Sequence, residues 1–360
     1  MSVGFRNDDT ELRRRVEQVD AMRRDSGLAG LVGGLDTVVV SVAPDHLEDA
    51  VVEFLGTTGY GYGGHFLFPD GQGCLLTLAG SANFLLRTRT APNWAFASEP
   101  LGPKSFHVPR SRVESMVFAC PDLERYVGIQ KRRGVRFMTE APVRSDGGLF
   151  IRTAVSTCSA LSYGFVQREV GSNSRALEPC RSGGLRFAKP DAPHLRQIGV
   201  FDHASVRVRA RDRDDAIVEF LELTNYEFSM AVYVDNLNSI TNVARLPGEP
   251  YAMVITSGLG DSADGQEGPT EKFIRNYGRR IHHLAFRTSR IEETFAGLKA
   301  QGMEFLLELV GSPEEGLKQT FSRPSPHTLI VNEYIQRYEG FEGFFTKSNV
   351  TLLTEATARQ

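Results

Sequence analysis

The pattern of apolar and polar positions repeats one motif along this chain: a short alternating run, a helix-period segment, then further strand-like runs. Asp202 to Val208 alternates with the period of two expected of a strand. Arg211 to Leu223 places Ala216, Ile217, Phe220 and Leu221 at helical spacing, and Ala231 to Val234 returns to strand-type residues. Ile281 to Arg287 starts the motif again, Glu292 to Gln301 supplies a helix closed by Gly302, and Glu304 to Val310 predicts a further strand. The same order occurs twice in the first half, so the chain reads as an α+β protein of four βαβββ modules. Gly171 to Gln197 is rich in Gly, Ser, Pro and Arg without a sustained period, and reads as a linker between a domain over 1–180 and one over 195–360. Leu259 to Thr270 predicts a surface loop, and Ser348 to Ala358 a C-terminal helix with Ser at its start, placed to act as a lid.

The halves can be laid on each other residue by residue. Leu35 to Tyr60 slides onto Phe201 to Tyr226, sharing Asp36/Asp202, Asp49/Asp215, Glu53-Phe54-Leu55/Glu219-Phe220-Leu221 and Tyr60/Tyr226. Arg112 to Phe137 slides onto Arg280 to Phe305, matching Phe118/Phe286, Glu124/Glu292 and Gly134/Gly302, and Val166-Gln167-Arg168 matches Ile335-Gln336-Arg337. In these registers Thr37 faces His203, Ser115 faces His283 and Gly164 faces Glu333. The second half thus carries two imidazoles and a carboxylate where the first carries inert groups.

His203 and His283 hold the same place in equivalent first strands, so a pseudo-twofold relation between modules aims both rings at one cavity; Glu333 lies on the final strand. Two neutral imidazoles and one carboxylate hold a divalent metal while leaving a face open to substrate and O2, the donor set of a non-haem Fe(II) oxygenase. A structural zinc site would close with four ligands. A lone His at a strand start is most often capping or surface chemistry, but three departures at equivalent positions weigh against that. His46, His65, His107, His194 and His327 lack such a relation and are read as ordinary surface or loop residues. His282 adjoins a ligand, and its side chain alternates to the opposite face.

Composition narrows the function classes. At 360 residues the chain exceeds the usual size of one core, in keeping with two domains. No apolar run approaches the ~20 residues of a membrane span, and the polar N-terminus lacks the apolar core of a secretory signal, so a soluble, cytoplasmic protein is expected. A net charge of −3 argues against a nucleic-acid partner. The four cysteines form no CxxC pair and read as reduced structural thiols. The metal-free N-terminal half offers a packing surface for a homodimer or homotetramer.

Asp202-His203, Leu237-Asn238-Ser239, His283-Leu284-Ala285-Phe286, Gln319-Thr320-Phe321, Glu333-Tyr334-Ile335-Gln336-Arg337 and Gly343-Phe344-Phe345-Thr346-Lys347-Ser348-Asn349 form an ordered series of blocks. In these the chain resembles the 4-hydroxyphenylpyruvate dioxygenases and the related 4-hydroxymandelate synthases, built on the vicinal oxygen chelate fold. The resemblance implies two domains, each an open β-barrel flanked by helices, with the metal site in the C-terminal one. It implies His203, His283 and Glu333 as Fe(II) ligands, Gln319 and Ser239 as polar groups over the substrate, and Phe321 and Phe345 as walls of a ring pocket. It further implies that a 2-oxo acid chelates the metal, loses CO2 as O2 reacts, and is hydroxylated itself, either on a ring carbon or on the benzylic carbon.

Four positions depart from the dioxygenase pattern: His282 stands where those enzymes carry Gln, Ser257 at an Asn, Val350 at a ring-stacking Phe, and Val331 at a Phe two residues before the Glu ligand. The segment Gly343 to Ala356 looks closer to the mandelate synthases, and the Glu333 block closer to the dioxygenases. An arylpyruvate is the leading substrate class. The aliphatic Val331 and Val350 keep a non-aromatic 2-oxo acid as the alternative. Isomerases, thiol transferases and ring-cleaving dioxygenases on the same fold are the nearest rivals; a non-catalytic protein that binds a small molecule or metal is the rival of another class.

Overall fold

The computed structural model of the chain describes residues 5–90, 95–172, 174–260, 267–341 and 343–360. The N-terminal half runs α1 (Thr10–Ser26), β1 (Leu35–Ser41), α2 (Leu47–Thr57), β2 (Gly61–Phe68), β3 (Gly71–Thr77), β4 (Asn83–Arg87), β5 (Arg112–Ala119), α3 (Leu123–Arg132), β6 (Val143–Ser145), β7 (Gly148–Arg152), β8 (Ser162–Arg168) and a short β9 (Arg181–Ser182). The C-terminal half runs β10 (Ile198–Arg207), α4 (Arg213–Leu223), β11 (Glu227–Val234), β12 (Ser239–Arg245), β13 (Ala252–Ser257), α5 (Pro269–Tyr277), β14 (Arg280–Thr288), α6 (Ile291–Ala300), β15 (Val310–Ser312), β16 (Leu317–Phe321), β17 (Val331–Arg337) and α7 (Lys347–Thr357).

Each half folds its two βαβββ modules into one mixed sheet. The second is ordered β11-β12-β13-β10-β14-β17-β16-β15, so the first strands of the two modules, β10 and β14, lie antiparallel at its centre. The first sheet repeats this order with β1 and β5 at its centre and adds β9 at the β2 edge. Central strands are covered on both faces, which is why β5, β10 and β14 are buried almost end to end.

The residues that match between halves also pack between them. Tyr60 and Phe54 meet Phe286 with ring centroids 6.1 and 5.9 Å apart, and Tyr226 and Phe220 meet Phe118 at 5.5 and 5.8 Å. The helix of each half's first module therefore packs on the central strand of the other half's second module, and one apolar core runs through both. Helix α1 crosses over as well. Although it falls within the 1–180 segment, it lies against α4, and Arg23 donates to the carbonyls of Leu221 and Tyr226 at and just past the C-terminal end of α4, the latter at 2.6 Å.

Several expectations need correction. Glu304 to Val310 is not a strand: Leu306 and Leu307 both turn toward the cluster of Phe321, Val331, Leu353 and Ala356, which breaks the alternation a strand requires, and regular pairing resumes only at Val310. Pro269, at the first turn of a helix the pattern did not reveal, cuts the expected Leu259–Thr270 loop short, and residues 261–266 of that loop lie outside the described residues. His65 is no surface residue. It is buried in β2, with Nε2 3.1 Å from Gln72 Oε1 and Nδ1 accepting from the Leu185 amide at 3.2 Å. His46 and His327, from opposite halves, place their Nδ1 atoms 2.9 Å apart. No helix among the described residues is long and apolar enough to cross a membrane.

Candidate metal centre

Three adjacent strands bring the predicted ligands together. Ser205 pairs with His283 across the antiparallel β10/β14 ladder, and Ala285 pairs with Glu333 across the parallel β14/β17 ladder. All three side chains are buried, and their ligand atoms lie within 4.8 Å of one another. His203 Nε2 is 3.1 Å from Glu333 Oε2 and 3.3 Å from His283 Nε2, and His283 Nε2 is 3.3 Å from Glu333 Oε2. Bonds of about 2.1 Å at right angles would set such atoms about 3.0 Å apart, so the triangle fits one face of a divalent ion. No fourth His, Cys, Asp or Glu joins the cluster among the described residues, which leaves the opposite face to exogenous ligands.

The first half cannot build this centre. Thr37 donates to its neighbour Asp36 at 2.6 Å, Ser115 offers only a buried hydroxyl, and a Cβ on Gly164 would meet Val117 at 2.8 Å and Phe150 at 2.9 Å. The framework is nonetheless shared: Arg168 pairs with Asp36 as Arg337 pairs with Asp202.

In the second half that framework orients a candidate ligand, His203. His203 Nδ1 lies 2.7 Å from Asp202 Oδ1, while Asp202 Oδ2 accepts from Arg337 and, at 2.7 Å, from Arg287 Nε. Burial alone would raise the Asp202 carboxyl pKa; Arg337, His203 and Arg287 overcome it and hold the group far below the usual carboxylate range. A permanently ionised Asp202 keeps the His203 proton on Nδ1 and turns the Nε2 lone pair to the centre. A second chain of contacts serves His283. Its Nδ1 is 2.8 Å from His282 Nδ1, and His282 Nε2 is 2.9 Å from Gln360 Oε1. Burial, reinforced by Arg207, keeps His282 neutral, its pKa well below the histidine norm. The consistent proton assignment is His283 Nδ1–H to His282 Nδ1 and His282 Nε2–H to Gln360, which again frees the Nε2 lone pair of the ligand.

Helix α7 closes a cavity over the centre. Of the residues predicted from the sequence, Gln319, Phe321, Phe345 and Val350 line it with His283 and Glu333. Gln319 donates to Glu333 Oε1 at 2.5 Å and accepts from Asn349 Nδ2 at 3.0 Å, so it ties α7 to the Glu333 carboxylate. The Phe321 ring lies 4.8 Å from that of His283, and Phe345 5.2 Å from that of His203. Ser239 lies two residues before the lining residue Thr241 and so shares its strand face, its buried hydroxyl without a partner among the described residues.

Four predicted positions, Ser239 among them, are not part of the cavity lining. Ser257 follows the lining residue Thr256 and so points away, donating to the Gly258 carbonyl at 2.9 Å. Val331 is buried behind Phe321, and His282 acts through its neighbour. Sequence reasoning missed Ser205 and Arg207, which follow His203 at steps of two, and Leu353, Thr354 and Thr357, which follow Val350 at steps of three, four and seven; all line the cavity. Extending the two periods from known site residues would have found them.

Comparison with known proteins bears on the fold. No family model matches the chain. It is 24% identical over 224 residues to the 4-hydroxyphenylpyruvate dioxygenase of Yarrowia lipolytica, a match spanning 59% of this chain and 55% of that protein, about half the relative's length. Among solved structures, a triple mutant of 4-hydroxymandelate synthase from Streptomyces coelicolor superposes with a TM-score of 0.68 at 16% identity, covering 91% of this chain and 98% of that one. A xylose isomerase-like TIM barrel/4-hydroxyphenylpyruvate dioxygenase fusion protein superposes with a TM-score of 0.63 at 12% identity, covering 96% of this chain and 57% of that one. The chain has the vicinal oxygen chelate fold and resembles the 4-hydroxyphenylpyruvate dioxygenases and 4-hydroxymandelate synthases.

Proposed function

We propose that this chain is an Fe(II)-dependent dioxygenase that decarboxylates a 2-oxo acid and hydroxylates the same molecule. The observation that carries the reading is the triangle of His203, His283 and Glu333, open on one face and covered by α7. When bound, Fe(II) supplies Lewis acidity for the 2-oxo acid head and the electrons that let O2 react. One oxygen atom enters the carboxylate formed from the keto carbon as CO2 leaves, and the other enters the side chain.

The protein's own part is positioning and exclusion. Asp202 and His282 hold the ligand rings in the tautomers that coordinate. Gln319 holds Glu333 in place and links it to α7. Phe321 and Phe345 flank the metal end and exclude water from the reacting carbons.

The cavity measures about 40 Å³, room for a few waters. Arylpyruvates are the leading class, with Phe345 and Val350 deciding between ring and benzylic carbon. A non-aromatic 2-oxo acid is the second reading, favoured by the aliphatic Val350, Leu353 and Val254 on the walls. The test is anaerobic loading with Fe(II), then mixing with air and a panel of 2-oxo acids while O2, CO2 and product mass are followed. One CO2 released per O2 consumed is expected. Product formation without CO2, or O2 uptake undiminished by Glu333→Ala, refutes the reading.

A further inference from the structure

Strand β10 carries His203, Ser205 and Arg207 on one face at two-residue steps. Arg207 is 4% exposed and borders the cavity over the metal centre. The comparison of halves that picks out the ligands picks it out too, because Ser41 stands at its place in the first half.

Its surroundings are unusual for a buried cation. Nη2 donates to Thr357 Oγ1 at 2.9 Å, Nη1 to the Pro269 carbonyl at 3.3 Å, and the guanidinium lies 4.7 Å from the Phe273 ring centroid. Among the described residues no carboxylate comes within 4.0 Å of it, whereas buried Arg87 pairs with Glu178 and Asp70, and buried Arg213 with Asp9. Among the described residues Arg112 and Arg280 also have no carboxylate within 4.0 Å, but each seals an atom without a partner there and donates into backbone carbonyls away from the cavity. Burial pushes the Arg207 pKa down to about 9, so it is still a cation at neutral pH. A guanidinium has five N–H donors, and a buried charge without a counter-ion is costly to keep. Ser205, Thr241, Thr256, Thr354 and Thr357 add hydroxyls to the same walls.

We infer that Arg207 is the counter-ion for a second anionic group of the substrate, so that the substrate class is a 2-oxo acid with a carboxylate at its distal end. The inference rests on the dioxygenase reading for the head of the molecule: the 2-oxo acid end sits at His203, His283 and Glu333, and the distal carboxylate sits on Arg207 among the threonine hydroxyls.

Two acid pairs differing only in the distal carboxylate test this: 2-oxoglutarate against 2-oxopentanoate, and 4-carboxyphenylpyruvate against phenylpyruvate. Dissociation constants are measured by anaerobic calorimetry on the Fe(II)-loaded protein, with Arg207→Met and Arg207→Lys alongside. A charge-assisted contact of this kind predicts a preference for at least one diacid of about 10- to 150-fold in the native protein. Arg207→Met should bring that preference within about threefold, while Arg207→Lys keeps part of it and covers the case in which the Met variant does not fold. Equal binding within both pairs in the native protein, or an equal loss for both members on Arg207→Met, overturns the inference. Glutarate, which has no 2-oxo head, separates the two readings in a thermal shift on metal-free protein. If glutarate stabilises the native protein but not Arg207→Met, while no 2-oxo acid binds the loaded protein, the subsite stands and the dioxygenase reading falls. If nothing binds in either assay, both fall.

Discussion

Asp202→Asn separates the work Asp202 does for the fold from the work it does for the metal. The carboxylate is fully buried and holds Arg337, the half-exposed Arg287 and the His203 ring at once. Removing the charge leaves Arg337 facing a neutral amide in a buried setting, a loss of about 3–5 kcal/mol. The Arg287 contact is solvent-screened and adds at most about 1 kcal/mol. At about 2 °C per kcal/mol for a chain of this size, the melting temperature should fall by about 6–10 °C. Asn can also present its NH2 to His203 Nδ1, which favours the wrong tautomer, and Fe(II) affinity should fall about 10- to 100-fold.

Asp36→Asn is the internal control. Asp36 pairs with Arg168 in the same way but has Thr37, not a ligand, beside it. It should lower the melting temperature and leave Fe(II) affinity unchanged. Calorimetric melting of metal-free protein and anaerobic Fe(II) titration give the two readings for each variant. If Asp202→Asn binds Fe(II) as tightly as the native protein, the argument that Asp202 sets the His203 tautomer is wrong. The pH dependence has a definite sign. The folded-state pKa of Asp202 is depressed, so its stabilisation is complete above the ordinary aspartate range and is lost as pH falls below about 4. Asp202→Asn should flatten the acid limb of the stability curve.

His203→Ala and Glu333→Ala should each abolish stoichiometric Fe(II) binding and O2 uptake, as read by metal analysis after desalting and by an oxygen electrode. His282→Leu and Gln360→Ala should weaken Fe(II) binding by about 10- to 100-fold through the loss of tautomer control at His283, and hydrogen exchange in α7 should quicken in Gln360→Ala because one of its anchors is gone. In the metal-free protein burial lowers the His203 pKa, but Glu333 and Asp202 outweigh it and raise the value above the histidine norm. The proton must leave as metal binds, so Fe(II) affinity should climb as pH rises through and beyond the ordinary histidine range; a flat titration between about pH 6 and 8 would contradict this.

Much of the site was legible in the chain because internal repetition supplied its own reference. Thr37, Ser115 and Gly164 marked what a plain framework position looks like, and His203, His283 and Glu333 stood out against them. Their strand positions followed from period-two alternation in Asp202 to Val208 and Ile281 to Arg287. The Leu306-Leu307 stretch misled the same reasoning, because α7, distant in sequence, offers both side chains a common apolar surface. Ser257 misled it by one residue: the turn at Gly258 does not reveal which face of β13 meets the cavity, and Thr256 holds that place. His65 looked like a surface residue because nothing local announces that the Gly183–Leu185 stretch packs against it.

By itself the chain determined the four-module plan, the asymmetry between its halves and the identity of the three ligand candidates, since all of these are written as periods and as differences between repeats. Only the tertiary structure decided that α1 serves the opposite half, that His282 connects His283 to Gln360, and that Arg207 opens on the cavity with no carboxylate within 4.0 Å among the described residues. These depend on which faces of distant segments meet, and burial and charge pairing have no local signature: a guanidinium reads the same in sequence whether its counter-ion is a neighbouring carboxylate or a ligand that has yet to arrive.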